Sequence, residues 1–221
     1  MIPLRDTTRS RSFPFVTYGL IGANALVFLV QIAGGDGGAD LVRRFGAIPR
    51  DILRAPAADP GWLFTVLTLF SSMFLHGGFL HIIGNMLYLH VFGDNVEDRL
   101  GHSRYLIFYL LGGAGAALAE ISFHPDSGVP LIGASGAIAA VMGAYFLLYP
   151  RARVLALIPL FVFFPLVEVS AFVFLGLWFV LQFIQGTLTP AGEGGIAWWA
   201  HAGGFASGAV LLPLFLLMRR R

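Results

Sequence analysis

The sequence predicts an all-α membrane protein, a bundle of six transmembrane helices with both termini cytoplasmic. Three observations carry that prediction. Hydrophobic residues make up 57% of the 221 residues and charged ones 12%, with a mean hydropathy of +0.79. An ordinary soluble domain holds about 25% charged residues, so too few remain here to coat a water-soluble surface. Second, the apolar residues gather into stretches close to the ~20 residues that cross a ~30 Å hydrocarbon core. Third, the 14 basic residues, all arginine, are shared unequally among the connections.

Residues 1–12 form a short basic tail with Arg5, Arg9 and Arg11. The apolar stretch from Phe13 to Ile32 follows it. At ~20 residues it is longer than a signal-peptide core, and it reads as a retained first span. Gly34–Gly61 is a long loop in which Arg43, Arg44, Arg50 and Arg54 are balanced by Asp36, Asp40, Asp51 and Asp59. Trp62–Phe70 is apolar but too short to cross, and is expected at the membrane surface. Span two is expected over Gly78–Gly93, span three over Tyr105–Phe123 and span four over Gly133–Tyr149. Arg151–Pro165, aromatic and carrying Pro159 and Pro165, is expected along the interface. Span five covers Leu166–Ile184 and span six Ile196–Met218, so the helical domain runs 13–218 before the basic end 219–221.

Ten arginines then fall on one side: three in the tail, Arg99 and Arg104, Arg151 and Arg153, and Arg219–Arg221. The other side has only the four of the first loop, so the positive-inside rule puts both termini in the cytoplasm. Composition also excludes classes of function. A net charge of +2 spread over these connections builds no basic face for nucleic acid. The absence of cysteine removes disulfides, thiol catalysis and thiolate metal sites.

Polar side chains inside spans are costly and mark function by default. Span two holds His81 and Asn85, spaced i, i+4 on one face. Span four opens with Gly133-Ala134-Ser135-Gly136, and span six holds His201 in Ala200-His201-Ala202-Gly203-Gly204. Counting ~1.5 Å per residue from the inner ends puts Ser135, His201, His81 and Asn85 at broadly similar depths. A stripe of Ser135, Gly136, Ala139, Ala140 and Gly143 on span four faces Gly204 and Gly208 on the histidine's side of span six. Such stripes let helix backbones approach closely in lipid. Each residue alone reads more simply as an interhelical hydrogen bond or a structural histidine; together they read as acyl transfer, most simply peptide-bond hydrolysis. Imidazole would take the serine proton. His81, Asn85 and the Ser135 amide, in the first turn of its helix, would donate to the oxyanion.

At this point the motifs resemble the rhomboid family of intramembrane serine proteases. The matching segments are the Ser135 and His201 motifs, His76-x4-His81-x3-Asn85, and Gly93-Asp94-Asn95-Val96-Glu97-Asp98-Arg99-Leu100-Gly101. The resemblance implies a Ser135–His201 dyad with no third acid, His81 and Asn85 as oxyanion-stabilising positions, and Glu97 as a structural anchor. It also implies single-span membrane proteins as substrates, in the lipid bilayer, with no metal or cofactor. Two positions depart from the family pattern. Leu67 and Thr68 stand where many members carry Trp-Arg, and Ala139 stands where some stack a tyrosine on the catalytic histidine; Trp198 is the expected substitute.

The remaining acids read as interface charges, Glu120 at the outer end of span three and Glu168 near the inner end of span five. A zinc protease would need His-Glu-x-x-His, which His76, His81 and His90 do not make. An aspartyl protease would need two span aspartates. The competing function is a catalytically silent relative that binds membrane helices for trafficking or quality control; a transporter would show inverted repeats or broken helices. Water is expected to reach the site through a cavity lined by Ser71, Ser72 and His76. Substrate is expected beside span five, under a lid formed by the glycine-rich Gly186–Gly195 loop. The expected setting is a bacterial cell (inner) membrane, with the site open to the outer side.

Overall fold

A computed structural model describes residues 1–35, 38–56, 58–159, 162–189 and 195–219. In chain order the elements are β1 (Ile2–Asp6), α1 (Phe15–Ala33), α2 (Ala39–Phe45), α3 (Pro49–Arg54), α4 (Trp62–Ser71), a 3-10 turn (Ser72–Phe74), α5 (Phe79–Leu100), α6 (His102–Phe123), α7 (Ser135–Leu148), β2 (Arg153–Leu157), β3 (Leu166–Ser170), α8 (Ala171–Leu188) and α9 (Trp198–Arg219). The fold is a helical membrane bundle, with a helix at each of the six expected span positions. By length and composition α1, α6, α8 and α9 can each cross a membrane. α5 passes that test only together with α4 and the 3-10 turn, from which it is bent by 83°.

α7 is the shortest of the six, 14 residues or ~21 Å long. It need not meet lipid along its length, because every residue from Gly136 to Tyr145 is buried by neighbouring helices. α5, α6 and α9 surround it. The small-residue stripes sit where expected and meet face to face. A Cβ added at Gly208 would lie 1.9 Å from the Ala140 carbonyl oxygen, one at Gly143 2.1 Å from that of Phe205, and one at Gly204 2.2 Å from that of Gly136. The α7 and α9 backbones are therefore in contact, with no room for even a methyl group between them.

Glu97 is fully buried near the end of α5 and organises the start of α1. Its carboxylate accepts from the Val16 and Thr17 amides at 2.9 and 2.7 Å and from the Thr17 hydroxyl at 2.7 Å. These are first-turn N–H groups that no helical carbonyl can reach, and the negative charge suits that end of the helix. Asp98 accepts from the Ser12 amide and hydroxyl at 3.0 and 2.7 Å. These partners explain why α5 runs on to Leu100 rather than stopping at Gly93.

The structure differs from the expected architecture at the end of the bundle that holds the termini. The tail over residues 1–12 contains β1, which pairs antiparallel with β2, and β2 pairs with β3. Asp6 fastens this sheet to the bundle by accepting from the Tyr145 hydroxyl and from Asn95 Nδ2; burial raises the Asp6 pKa above the ordinary carboxylate value. Leu166–Ser170 is strand, so the fifth helix starts at Ala171, with the Ser170 hydroxyl accepting from Val173 N. Glu168 accordingly lies in β3 opposite Leu155 rather than in a span. The long first loop contains α2 and α3. It is tied to the segment before α7 by the Ala47–Leu131 bridge, by Arg50 N donating to Ser127 O, and by the Arg54–Asp126 ion pair at 2.7 Å. That is how this loop is anchored with Leu67 and Thr68 in place of Trp-Arg. Of the expected lid, residues 190–194 lie outside the described residues, and 186–188 are the last turn of α8.

The seam makes a testable distinction between glycines. Gly208→Ala forces α7 and α9 apart and is expected to lower thermal stability by about 1–3 kcal/mol, the usual range for overpacking. Gly22→Ala on α1, whose Cβ would meet nothing within 4 Å, is expected to be neutral or slightly stabilising. Melting of the two purified variants measures both.

Candidate active site

Ser135 is the first residue of α7. It is set there by Gly133, whose φ of +117° turns the chain into the helix and whose amide donates to the Ser72 carbonyl at 2.9 Å. His201 lies in the first turns of α9, directly across the seam. The Ser135 Oγ and His201 Nε2 atoms are 2.8 Å apart, a hydrogen-bond distance. His201 Nδ1 is 2.7 Å from Oε1 of Gln182 on α8. An amide oxygen only accepts, so Nδ1 carries the hydrogen and Nε2 presents its lone pair to the serine hydroxyl. That tautomer can take a proton from Oγ.

The two span-two residues face the same place. His81 Nδ1 accepts from the Gly77 amide at 3.3 Å, which leaves Nε2 as the protonated nitrogen. A Cβ at Gly133 would lie 2.8 Å from His81 Nε2 and 3.6 Å from Asn85 Nδ2, so both donors converge on the bare backbone just before Ser135. Asn85 Nδ2 is buried and has no hydrogen-bond partner among the described residues. A buried donor without an acceptor is costly to hold. Here it lies close to Gly133, near the first-turn amide of Ser135, which has no intrahelical acceptor of its own. His76 supports this corner from behind: it is buried, its ring lies 5.1 Å from that of His81, and its backbone exchanges two hydrogen bonds with Gln31.

All four residues singled out in the sequence thus border one cavity of about 600 Å³. Its remaining walls include Leu80 and Gly84 of α5 and Trp178 of α8. A smaller space of about 170 Å³ continues past His81 and Ile132 to Glu120, His124 and Ser127. The polar approach to the site therefore differs from the expected one. Ser72 and His76 are buried, and the Ser71 hydroxyl is occupied by the Phe45 carbonyl at 2.7 Å.

Two further residues bear on the site, Gln182, which no motif marks, and Glu120. Gln182 makes the hydrogen bond to His201 expected of no residue at all. Trp198, the expected substitute, meets the imidazole only edge-on at 6.2 Å, and Trp178 lies tilted at 5.9 Å. Glu120, read as an interface charge, is buried with 5% exposure. It accepts from the Ala200 amide at 2.9 Å and pairs with His124 Nδ1 at 2.6 Å. The carboxylate thereby ties α6 to the start of α9, one residue before His201.

Comparison with known proteins places the chain in a family. The family model described as a Rhomboid domain matches residues 64–218. The chain is similar to the rhomboid protease GluP of Bacillus subtilis, 33% identical over 132 residues, which cover 59% of this chain and 24% of that protein. It is similar to RHOMBOID-like protein 6, mitochondrial, of Arabidopsis thaliana, 29% identical over 59% of this chain and 50% of that protein. It also resembles Rhomboid-related protein 2 of Mus musculus, 32% identical over 66% of this chain and 47% of that protein. The chain thus spans between a quarter and a half of the length of these relatives.

Glu120→Ala strips the Ala200 amide and His124 of their shared acceptor in a buried place. The expected loss is about 1–3 kcal/mol of stability, read as a lower melting temperature, whereas removing the exposed partner of Asp126 with Arg54→Ala should change melting little.

Proposed function

The chain belongs to the rhomboid family and is an integral membrane protein, and on that premise we propose that it is an intramembrane serine endopeptidase that cleaves transmembrane segments of single-span proteins with a Ser135–His201 dyad. The observation that carries the proposal is the 2.8 Å approach of Ser135 Oγ to His201 Nε2 at the edge of a cavity onto which His81 and Asn85 also open.

Ser135 Oγ gives its proton to His201 Nε2 and bonds to the scissile carbonyl carbon, whose oxygen becomes an oxyanion. The Ser135 amide, His81 Nε2–H and Asn85 Nδ2–H donate to that oxyanion. Collapse breaks the C–N bond, and the imidazolium returns its proton to the leaving nitrogen, leaving an acyl ester on Ser135. A water that loses its proton to His201 then attacks the ester, and the proton returns to Oγ as the acid is released. The polar space beside Glu120, His124 and Ser127 is the route proposed for that water.

Substrate reaches the cavity laterally between α5 and α8, whose residues Leu80, Gly84 and Trp178 border it. A helical substrate hides its carbonyls in i→i−4 hydrogen bonds and must unwind at the cut. Segments with small or helix-breaking residues such as glycine unwind most readily, and are the preferred substrates on this reading. The arginine asymmetry supports cytoplasmic termini, six crossings and a site open to the outer side. The proposed setting is a bacterial cell (inner) membrane.

Cleavage of a generic single-span substrate by the purified protein tests the reading. Ser135→Ala and His201→Ala are each expected to abolish cleavage with folding intact. The double variant should be no worse than either, because nucleophile and base act as a unit. Cleavage surviving both single substitutions would end the serine-protease reading, whereas no cleavage by the unsubstituted protein would favour a silent relative. Asn85→Ala probes the oxyanion role separately. Turnover is expected to fall by ~10²–10³, with substrate binding and melting temperature unchanged; a loss explained by unfolding alone would remove Asn85 from the site.

A further inference from the structure

Gln182 is a buried amide on a largely apolar, membrane-length helix whose other glutamine, Gln185, is exposed. A polar group in that setting is costly unless bonded, and its oxygen is committed to His201 Nδ1 at 2.7 Å. For Nε2 to receive the serine proton, Nδ1 must keep its own hydrogen. A fixed acceptor opposite Nδ1 selects that tautomer and fixes the plane of the ring. In a Ser-His-Asp triad a carboxylate does this. Here an amide supplies orientation without placing a charge in the low-dielectric interior, where an ion must be paired to be tolerated.

The acceptor does not belong to either helix of the dyad. Ser135 is on α7 and His201 on α9, while Gln182 is on α8, the helix that walls the cavity on the side of the proposed substrate path. α8 is held against α9 by ring contacts, Phe179 with Phe205 at 5.0 Å and Phe183 with Trp199 at 5.4 Å. Gly186 allows the Trp199 ring to lie close to the α8 backbone. Against α5 it is held near its start, where Phe174 meets Tyr88 and Phe92 at 6.5 and 6.1 Å. At its start it continues directly from β3, with the Ala171 amide donating to Ala152 O at 2.7 Å. Displacing α8 from α9 by about an ångström at Gln182 would carry that oxygen out of hydrogen-bond range of Nδ1.

We propose that Gln182 is the positioning residue of His201, and that its place on α8 makes the imidazole ready as a base only while α8 is packed against α9. The proposal rests on the serine-protease reading above. A substrate segment that spreads α5 and α8 to reach the cavity removes the acceptor from Nδ1. Proton transfer then waits until α8 closes again, so substrate admission and bond cleavage alternate instead of overlapping.

The test compares variants in the purified full chain by three readouts: kcat and KM on a single-span substrate, the rate at which a small fluorophosphonate labels Ser135, and melting temperature. Gln182→Met keeps the shape and removes the acceptor; Gln182→Glu keeps an acceptor at the same reach. Gln182→Met is expected to lower both kcat and the labelling rate by ~10²-fold, the cost of a misoriented catalytic group, with KM and melting unchanged. Gln182→Glu is expected to retain most of both rates. Phe183→Ala, which loosens α8 without touching the dyad, should slow labelling even though it widens the path. Parental labelling in Gln182→Met overturns the positioning role, and faster labelling in Phe183→Ala overturns the coupling to α8. Ser135→Ala run alongside separates the two levels. Cleavage persisting there fails the protease reading itself, whereas its loss beside a parental Gln182→Met fails only the role of Gln182.

Discussion

Two helix backbones touch along the α7–α9 seam, and the geometry of the site depends on that contact. Lipid chains are as apolar as leucine, so helices in a bilayer associate through close packing and polar contacts instead of hydrophobic burial. Gly143, Gly204 and Gly208 give up side chains, and with them helix propensity of about 1 kcal/mol each relative to alanine. In return their helices approach to a distance at which any Cβ would collide with a facing carbonyl oxygen. Because the seam is that tight, a side chain as short as serine can reach across it, and Ser135 Oγ meets His201 Nε2 at 2.8 Å. A larger residue in the stripe would separate the two groups without altering either one.

Around the seam, most of the costly polar groups have identifiable work. Glu97 satisfies the first turn of α1, and Glu120 holds the start of α9 through the Ala200 amide. Gln182 fills the remaining valence of His201. Each carboxylate or amide joins two helices, Glu97 and Glu120 across some 80 residues of chain and Gln182 between consecutive helices, so polar contacts set the helix positions that apolar contacts leave adjustable. Asn85 Nδ2, by contrast, is a buried donor with no acceptor among the described residues, on a side chain that borders the cavity beside Ser135.

The spans and the four residues bordering the cavity were legible in the sequence for the same reason. A polar residue in a long apolar stretch is conspicuous, and residue counting at a fixed rise places it in depth. Gln182 met that criterion as well as His201 did. It was passed over because the pairing of α8 with α9 is not encoded in any spacing within either helix. Glu120 was misread for a related cause: its partner is a backbone amide, and backbone groups leave no mark in a sequence. The sheet was hidden by distance. β1 is five residues long and pairs with a strand some 150 positions away. Leu166–Ser170 is apolar enough to be absorbed into the helix that follows it.

The central claim is that the seam makes Ser135 a nucleophile through His201. Mass-spectrometric mapping of the adduct left by a fluorophosphonate tests it directly, since the reagent bonds only to an activated hydroxyl. The account predicts one covalent adduct, on Ser135, in the unmodified chain and none in the His201→Ala variant. An adduct that forms equally well without His201, or on a different serine, would contradict it.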